Sequence, residues 1–274
     1  GGAMAEALNG STLPNLPNGD ALDLEMRHPE SAIEANGLLC MGTVLWSAAP
    51  ILCEWLKEQK LAGTAVLALG DGTGAVGLYA AGLAASRVVI TDGDSACVAL
   101  IETNMQRNQN KLPADTVAVA RSLLWGCGTE SLPQGPFDWV VGSDIVWGSD
   151  EEAHENLSRT IADMLATEAD ARPRVILAME HGLPIVAPAS EADGEADGGA
   201  LCYDETLEQF RASAVAHGLF IEVLEPLDGG CQPIGIPGTS GSVKESNAVL
   251  WPPAAFGGGK VFLIELQRPS AQSS

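Results

Sequence analysis

Apolar positions along this chain follow two rhythms that take turns. Short, nearly unbroken apolar runs occur at Ala65–Leu69, Arg87–Thr91, Thr116–Ala120, Phe137–Gly142, Arg174–Met179, Phe220–Leu224 and Val261–Glu265. Each has the length of a strand, and a run apolar at consecutive positions fits a strand buried on both faces. Between them lie stretches with helical spacing. In Trp46–Lys57 the residues Ile51, Leu52, Trp55 and Leu56 share one face. Further helices are predicted at Ala75–Ala84, Ser95–Asn108, Ser149–Ala166 and Leu201–His217. The fourth opens on acidic residues, which suit the positive end of a helix dipole, and Gly218 is a C-cap for the fifth. Strands alternating with helices predict an α/β domain with a mostly parallel sheet and helices on both faces.

Three regions depart from this rhythm. Residues 1–40 are rich in Asn, Pro, Gly and Leu with little periodicity and are expected to form a loose N-terminal arm, with a strand or turn near Ile33–Met41. Within it, residues 1–3 resemble an expression-tag scar ahead of Met4. The main domain then spans 41–268. Two flexible insertions are expected in it: a small, acidic, Gly-rich one near 187–199 and a longer Gly/Pro/Ser-rich one near 229–259. Residues 269–274 are expected to be a disordered tail.

Composition narrows the function classes. The chain has 274 residues, 46% of them hydrophobic, enough for a buried core. Its formal net charge of -22 repels phosphate backbones and attracts basic partners, so no nucleic acid is expected as a partner. The six cysteines and four histidines are scattered without metal-ligand spacing, so neither a metal site nor a disulfide scaffold is expected. There is no basic-then-apolar leader and no apolar stretch of membrane-spanning length. The expectation is a monomer without a membrane partner, in the cytoplasm and also the nucleus.

The candidate chemistry sits where strands end. The first strand runs into Gly70-Asp71-Gly72-Thr73-Gly74 and then a helix. Glycines here allow a tight turn and the close approach of a ligand. In open α/β sheets ligands bind outside the carboxyl ends of the strands. Gly72, Gly74 and Gly77 also satisfy G-x-G-x-x-G, which a dinucleotide enzyme can carry. The second strand ends in Ile90-Thr91-Asp92-Gly93, where a carboxylate can accept hydrogen bonds from both hydroxyls of a ribose. That ribose is common to NAD and S-adenosylmethionine. Leu123-Leu124-Trp125-Gly126 after the third strand offers an indole to an adenine face. Ser143-Asp144-Ile145-Val146-Trp147 after the fourth adds a carboxylate and an aromatic at the same crevice.

These residues together resemble the seven-β-strand methyltransferases of the family-16 group, which includes protein-lysine methyltransferases acting on chaperones, translation factors and calmodulin. The likeness is carried by Gly42-Thr43-Val44-Leu45-Trp46-Ser47-Ala48-Ala49, Val66 through Gly74, Ile90 through Gly93, Leu124-Trp125-Gly126 and Ser143 through Trp147, and it covers roughly residues 37 to 267. Thr91-Asp92-Gly93 with Asn104 and Arg107-Asn108-Gln109 is similar to the calmodulin-lysine methyltransferase branch in particular. The resemblance implies a Rossmann-like seven-stranded class I fold, mostly parallel with an antiparallel last strand at Lys260–Leu266. It implies S-adenosyl-L-methionine as cofactor, with Trp46 nearby and Gly70, Gly72 and Gly74 lining its methionine and ribose. Asp92 would hold the ribose, Gly93, Leu124 and Trp125 would border the adenine, and Ser143 would close the pocket. Asp144 and Trp147 would face a target amine.

Two departures from the family pattern stand out. Ala68 occupies a position that is usually acidic and helps to hold the methionine end of the cofactor; Asp71 either replaces that acid in part or faces solvent. Trp147 stands where relatives tend to have tyrosine; an indole cannot accept a hydrogen bond but offers a stronger face to a cation.

The function expected is methyl transfer to a lysine of a basic, lysine-presenting protein, with Asp144 as a positioner rather than a strong base, because a carboxylate raises the pKa of a neighbouring ammonium. The alternatives are a small-molecule N- or O-methyltransferase on the same fold and a catalytically impaired cofactor-binding protein. A nicotinamide dehydrogenase lacks a Tyr-x-x-x-Lys proton donor here, since Tyr79 and Tyr203 are the only tyrosines.

Overall fold

The computed structural model describes residues 13–26, 41–127, 129, 132–133, 136–146, 150–166, 172–180, 185–186, 202–203, 205–224 and 261–268. A 3-10 turn, Met41–Thr43, leads into α1 (Ala48–Lys57). The elements β1 (Ala65–Ala68), α2 (Ala75–Gly82), β2 (Arg87–Asp92), α3 (Ser95–Asn108) and β3 (Val117–Ser122) follow. Then come β4 (Trp139–Ser143), α4 (Glu151–Met164), β5 (Arg174–Glu180), α5 (Glu205–Ala216), β6 (Phe220–Leu224) and β7 (Val261–Gln267). Ile185–Val186 and Cys202–Tyr203 form a separate antiparallel pair.

The main sheet has the order β3-β2-β1-β4-β5-β7-β6. β1 pairs in parallel with both β2 and β4, and β7 is antiparallel to both β5 and β6. This is the seven-stranded, mostly parallel sheet with one antiparallel last strand that the sequence led us to expect. Its strands are apolar at consecutive positions because both faces are covered. Val66 and Ala68 of β1, Val141 of β4 and Ile176 and Ala178 of β5 join a cluster under α1 and α2. Leu67, Val140, Val175 and Leu177 join a second cluster under α4 and α5.

Two consequences position the site. The chain builds β1, β2 and β3 outward in one direction and then crosses back to lay β4 on the other side of β1. That reversal opens a crevice above the carboxyl ends of β1 and β4. Second, residues 13–26 do not form the loose arm expected of them. Leu16 is buried at 3% exposure, and Leu13, Leu22 and Leu24 cover the core cluster under α2. The expected strand or turn near 33–41 falls mostly outside the described residues, as do the tag-like residues 1–3, the tail 269–274 and the insertions near 187–199 and 229–259.

Candidate active site

The crevice holds a cavity of ≈ 690 Å³. Its floor is the loop after β1. Gly70, Gly72 and Gly74 all adopt positive φ, at 57°, 54° and 79°, which L side chains seldom take. Gly72 is also fixed by close approach: a Cβ there would lie 2.1 Å from the Gly42 carbonyl oxygen. The Met41–Thr43 turn therefore sits directly on the loop, and the Trp46 indole anchors that turn by donating from Nε1 to the Met41 carbonyl at 3.0 Å.

The Asp71 carboxylate is buried and turned toward the start of α2 rather than toward solvent. Its Oδ1 accepts from the Val76 amide at 3.1 Å and its Oδ2 from the Gly77 amide at 2.7 Å. Residues 75–81 of α2 are all buried, so water cannot satisfy the first amides of this helix, and its N-cap, Gly74, has no side chain to do so. Asp71 supplies the missing acceptor and a negative charge at the positive helix end. Burial pushes its carboxyl up to about 7, against the pull of the two amides, and the nearby Asp92 carboxylate adds to the rise.

Asp92 ends β2 and reaches back to the same loop. Its Oδ2 accepts from the Gly72 amide at 3.0 Å and its Oδ1 from the Asp94 amide at 2.9 Å. Burial raises its pKa, and these amides lower it. The cap of α3 is Asp94, which accepts from the Ala96 amide at 2.7 Å. Asp92 is thereby left to line the cavity.

The side wall comes from the segment after β3. A Cβ on Gly70 would lie 2.9 Å from Trp125 Cζ2 and 2.9 Å from Ile145 Cγ2, so the indole lies on the bare glycine backbone. Leu124, 63% exposed, sits beside Gly93 at the rim. The turn after the indole is held by α4: the Gly126 amide donates to Thr160 Oγ1 at 2.8 Å.

Ser143 and Asp144 close the far side. Asp144 has φ 52°, a strained value that aspartate tolerates better than most residues. Its amide donates to the Ala178 carbonyl at 2.8 Å, and its Oδ2 accepts from the Ala48 amide at 2.9 Å. The carboxylate thus caps α1, whose own N-cap residue, Ser47, makes no side-chain capping bond.

Trp46, Gly70, Asp71, Gly72, Asp92, Gly93, Leu124, Trp125, Ser143 and Asp144 all line this one cavity. Gly74 does not; it caps α2 and approaches Ile101. Trp147 lies outside the described residues. Sequence reasoning missed Met41, Asp150, Glu152, Asn156, Met179 and Thr206, which also line the cavity. Asp150 carried a signal, since it precedes a Glu-Glu pair as a helix cap does, and it accepts from the amides of Glu152 and Ala153 at 3.1 Å each. Among the described residues no group of three or more His, Cys, Asp or Glu could hold a metal ion, and no helix is long and apolar enough to cross a membrane.

A glycine loop, a carboxylate and an indole, each following its own strand in a sheet of this order, define a class I methyltransferase fold. A family model described as "Lysine methyltransferase" matches residues 27–182. The chain belongs to this lysine methyltransferase family. It is 39% identical over 111 residues to the protein N-lysine methyltransferase METTL21A of Danio rerio, covering 40% of this chain and 50% of that protein. It is 34% identical over 136 residues to the calmodulin-lysine N-methyltransferase of Arabidopsis thaliana, covering 48% of this chain and 42% of that protein. The chain thus spans about half the length of the curated relatives it matches. Among solved structures, it aligns with the glycopeptide N-methyltransferase MtfA complexed with S-adenosyl-L-methionine at 13% identity and a TM-score of 0.47, covering 81% of this chain and 88% of that chain.

Proposed function

We propose that this chain transfers a methyl group from S-adenosylmethionine to a lysine side chain of a protein substrate. The observation that carries the reading is the convergence of Gly70, Gly72, Asp92, Trp125 and Asp144 on one cavity at the sheet's reversal point. The cavity suits the cofactor in two respects. Bare glycine backbone lines its floor, with Trp125 and the Met41–Thr43 turn packed directly on it, and each oxygen of Asp92 accepts one amide with a lone pair left for a ribose hydroxyl. When bound, S-adenosylmethionine supplies a methyl group on a sulfonium.

The chain's own residues supply position and field. Gly70 and Gly72 carry the methionine and ribose, Asp92 accepts from the ribose hydroxyls, and Leu124 and Trp125 flank the adenine. An in-line approach of a neutral amine is the main requirement of such a transfer, so orientation accounts for much of the rate. Asp144 acts on the incoming amine as a positioner. One of its oxygens accepts from the Ala48 amide, which fixes the carboxylate in the cavity wall, where its charge can orient a cation. Asp144, with Asp150 and Glu152 also lining the cavity, favours an ammonium over an anion, and the net charge of -22 favours a basic segment around the target lysine.

The test has two parts. Calorimetry with S-adenosylmethionine and S-adenosylhomocysteine checks the cofactor; failure of both to bind rejects the reading. Mass spectrometry of lysine-rich proteins after incubation with the enzyme and donor then looks for a gain of 14 Da (about one methyl in place of a hydrogen) on lysine. Asp144→Ala should keep most of its cofactor affinity and lose at least about tenfold in transfer rate, since misplacing a reactant by about 1 Å can cost a hundredfold. Full transfer by that variant would remove Asp144 from the mechanism.

A further inference from the structure

Two buried asparagines join the N-terminal strap to the cofactor loop. Asn104 and Asn108 lie on one face of α3, four residues apart, and both are fully buried. The Asn108 carboxamide accepts from the Asp23 amide at 2.8 Å and donates to the Asp23 carbonyl at 2.8 Å. The Asn104 carboxamide does the same two residues along, accepting from the Glu25 amide at 2.6 Å and donating to the Glu25 carbonyl at 2.9 Å. The spacing works because four helical residues rise about 6 Å and two extended residues advance about 6.6 Å. A helix with two asparagines here does for the strap what a neighbouring strand would do. On the outer side Arg107 pairs with Asp23 and Glu25, and Lys111 donates to the Ala21 carbonyl.

Asn104 has a second attachment that Asn108 lacks. Its Nδ2 also donates to the Thr73 carbonyl at 2.8 Å, inside the loop between Gly72 and Gly74. Asn108 spends its other bond on the Asn104 carbonyl of its own helix, at 2.8 Å. One amide nitrogen therefore bridges the strap and the cofactor loop. The strap also grips the helix that starts from that loop: Leu16 fills the notch left by Gly82 at the end of α2, and the Asn15 carbonyl accepts from the Tyr79 hydroxyl at 3.2 Å. No strap residue lines the cavity.

We infer that Asn104 is a positioning residue for cofactor binding, and that docking of residues 13–26 and occupancy of the cofactor loop strengthen each other through it. The inference rests on the proposed function, in which Gly70 to Gly74 carries the cofactor. With the strap seated, Nδ2 is fixed and holds the Thr73 carbonyl, keeping the left-handed turns at Gly72 and Gly74 in their binding shape. With the loop held by ligand, the same nitrogen is fixed for Glu25. A coupling of this kind is necessarily reciprocal.

The test is hydrogen exchange on the full chain with S-adenosylhomocysteine as ligand. Exchange across residues 13–26 should slow severalfold when the ligand binds, although the strap does not touch the cavity. Asn108→Ala should speed strap exchange overall while keeping the ligand-induced slowing. Asn104→Ala should abolish that slowing and raise the Kd for S-adenosylhomocysteine about tenfold, the scale of a buried hydrogen bond lost from a binding shape. Strap exchange that ignores a ligand the unaltered protein does bind overturns the inference and leaves the proposed function standing. An Asn104→Ala variant with unchanged affinity and unchanged slowing also overturns it. If the unaltered protein binds no ligand, both fall. Should Asn104→Ala not fold, the response of the unaltered protein decides alone.

Discussion

Replacing Asp71 with asparagine should flatten the dependence of stability on pH. In the folded chain burial pushes this carboxyl up to about 7, from an ordinary 3.8 in the unfolded chain. Between those values the folded state keeps a proton that the unfolded state has released. Stability therefore falls as pH rises: the contribution is complete below 3.8 and is lost by the time pH passes about 7. A tenfold change in proton affinity is about 1.4 kcal/mol, so the full span is worth roughly 4 kcal/mol, a large share of the stability of a typical domain. Asparagine is neutral throughout. Its carbonyl can keep one of the two bonds from Val76 and Gly77, and losing the other costs about 1 kcal/mol at every pH. The sequence pI of about 4.3 argues for starting above it. Urea unfolding of the ligand-free protein at intervals from pH 5 to pH 8.5, followed by tryptophan emission, is the assay. The stability of the natural protein relative to Asp71→Asn should fall by roughly 3 kcal/mol over that range, with the midpoint belonging jointly to Asp71 and Asp92, whose fields overlap. A difference that stays constant to within about 0.5 kcal/mol would refute the argument, because packing and hydrogen-bond effects of the substitution do not titrate.

Two further substitutions test the cavity walls. Gly72→Ala would drive a Cβ to 2.1 Å from the Gly42 carbonyl oxygen at a positive φ, so backbone must move against backbone; the Kd for S-adenosylhomocysteine, read by calorimetry, should rise by at least about tenfold. Thr160→Val removes the acceptor of the Gly126 amide while keeping nearly the same volume. It should cost about 1 kcal/mol in urea unfolding and weaken S-adenosylhomocysteine binding a few-fold by loosening Trp125, and Thr160→Ser should restore both.

The strands and helices were legible because this sheet is covered on both faces. Val88, Val89 and Ile90 are all buried in succession, so β2 appears in the sequence as an apolar run ended by an acid. Most of the cavity residues found in the sequence were legible for a related reason: they end a strand or follow one closely, so finding the strand finds the residue. What escaped notice depends on contacts between distant parts of the chain. The Asp144 carboxylate and the Ala48 amide are 96 residues apart, and nothing near either position announces the pairing. The strap escaped because its backbone is satisfied by the side chains of Asn108 and Asn104, 85 and 79 residues beyond their respective partners Asp23 and Glu25. Its one local signal is the short alternation Leu22-Asp23-Leu24-Glu25-Met26, too brief among the Pro and Asn residues around it to stand out.

The alanine at position 68 has a different meaning once Asp71 is seen in place. The family resemblance puts at position 68 an acid that helps to hold the methionine end of the cofactor, and leaves Asp71 either to replace it in part or to face solvent. Ala68 is buried in the cluster beneath α2, beside Ala75 and Val76, and its carbonyl accepts from the Thr91 hydroxyl at 2.7 Å. Three residues further on, Asp71 brings a carboxylate to the amides of Val76 and Gly77. A buried anion is costly, and each one raises the pKa of its neighbours. Asp71 already stands near 7 with Asp92 contributing to the rise. A second acid at 68, on the same side of the sheet, would add a third negative group to a pair that burial already strains. Small Ala68 and acidic Asp71 therefore belong together: the helix end keeps one carboxylate, and the strand beneath it keeps its close fit to α2.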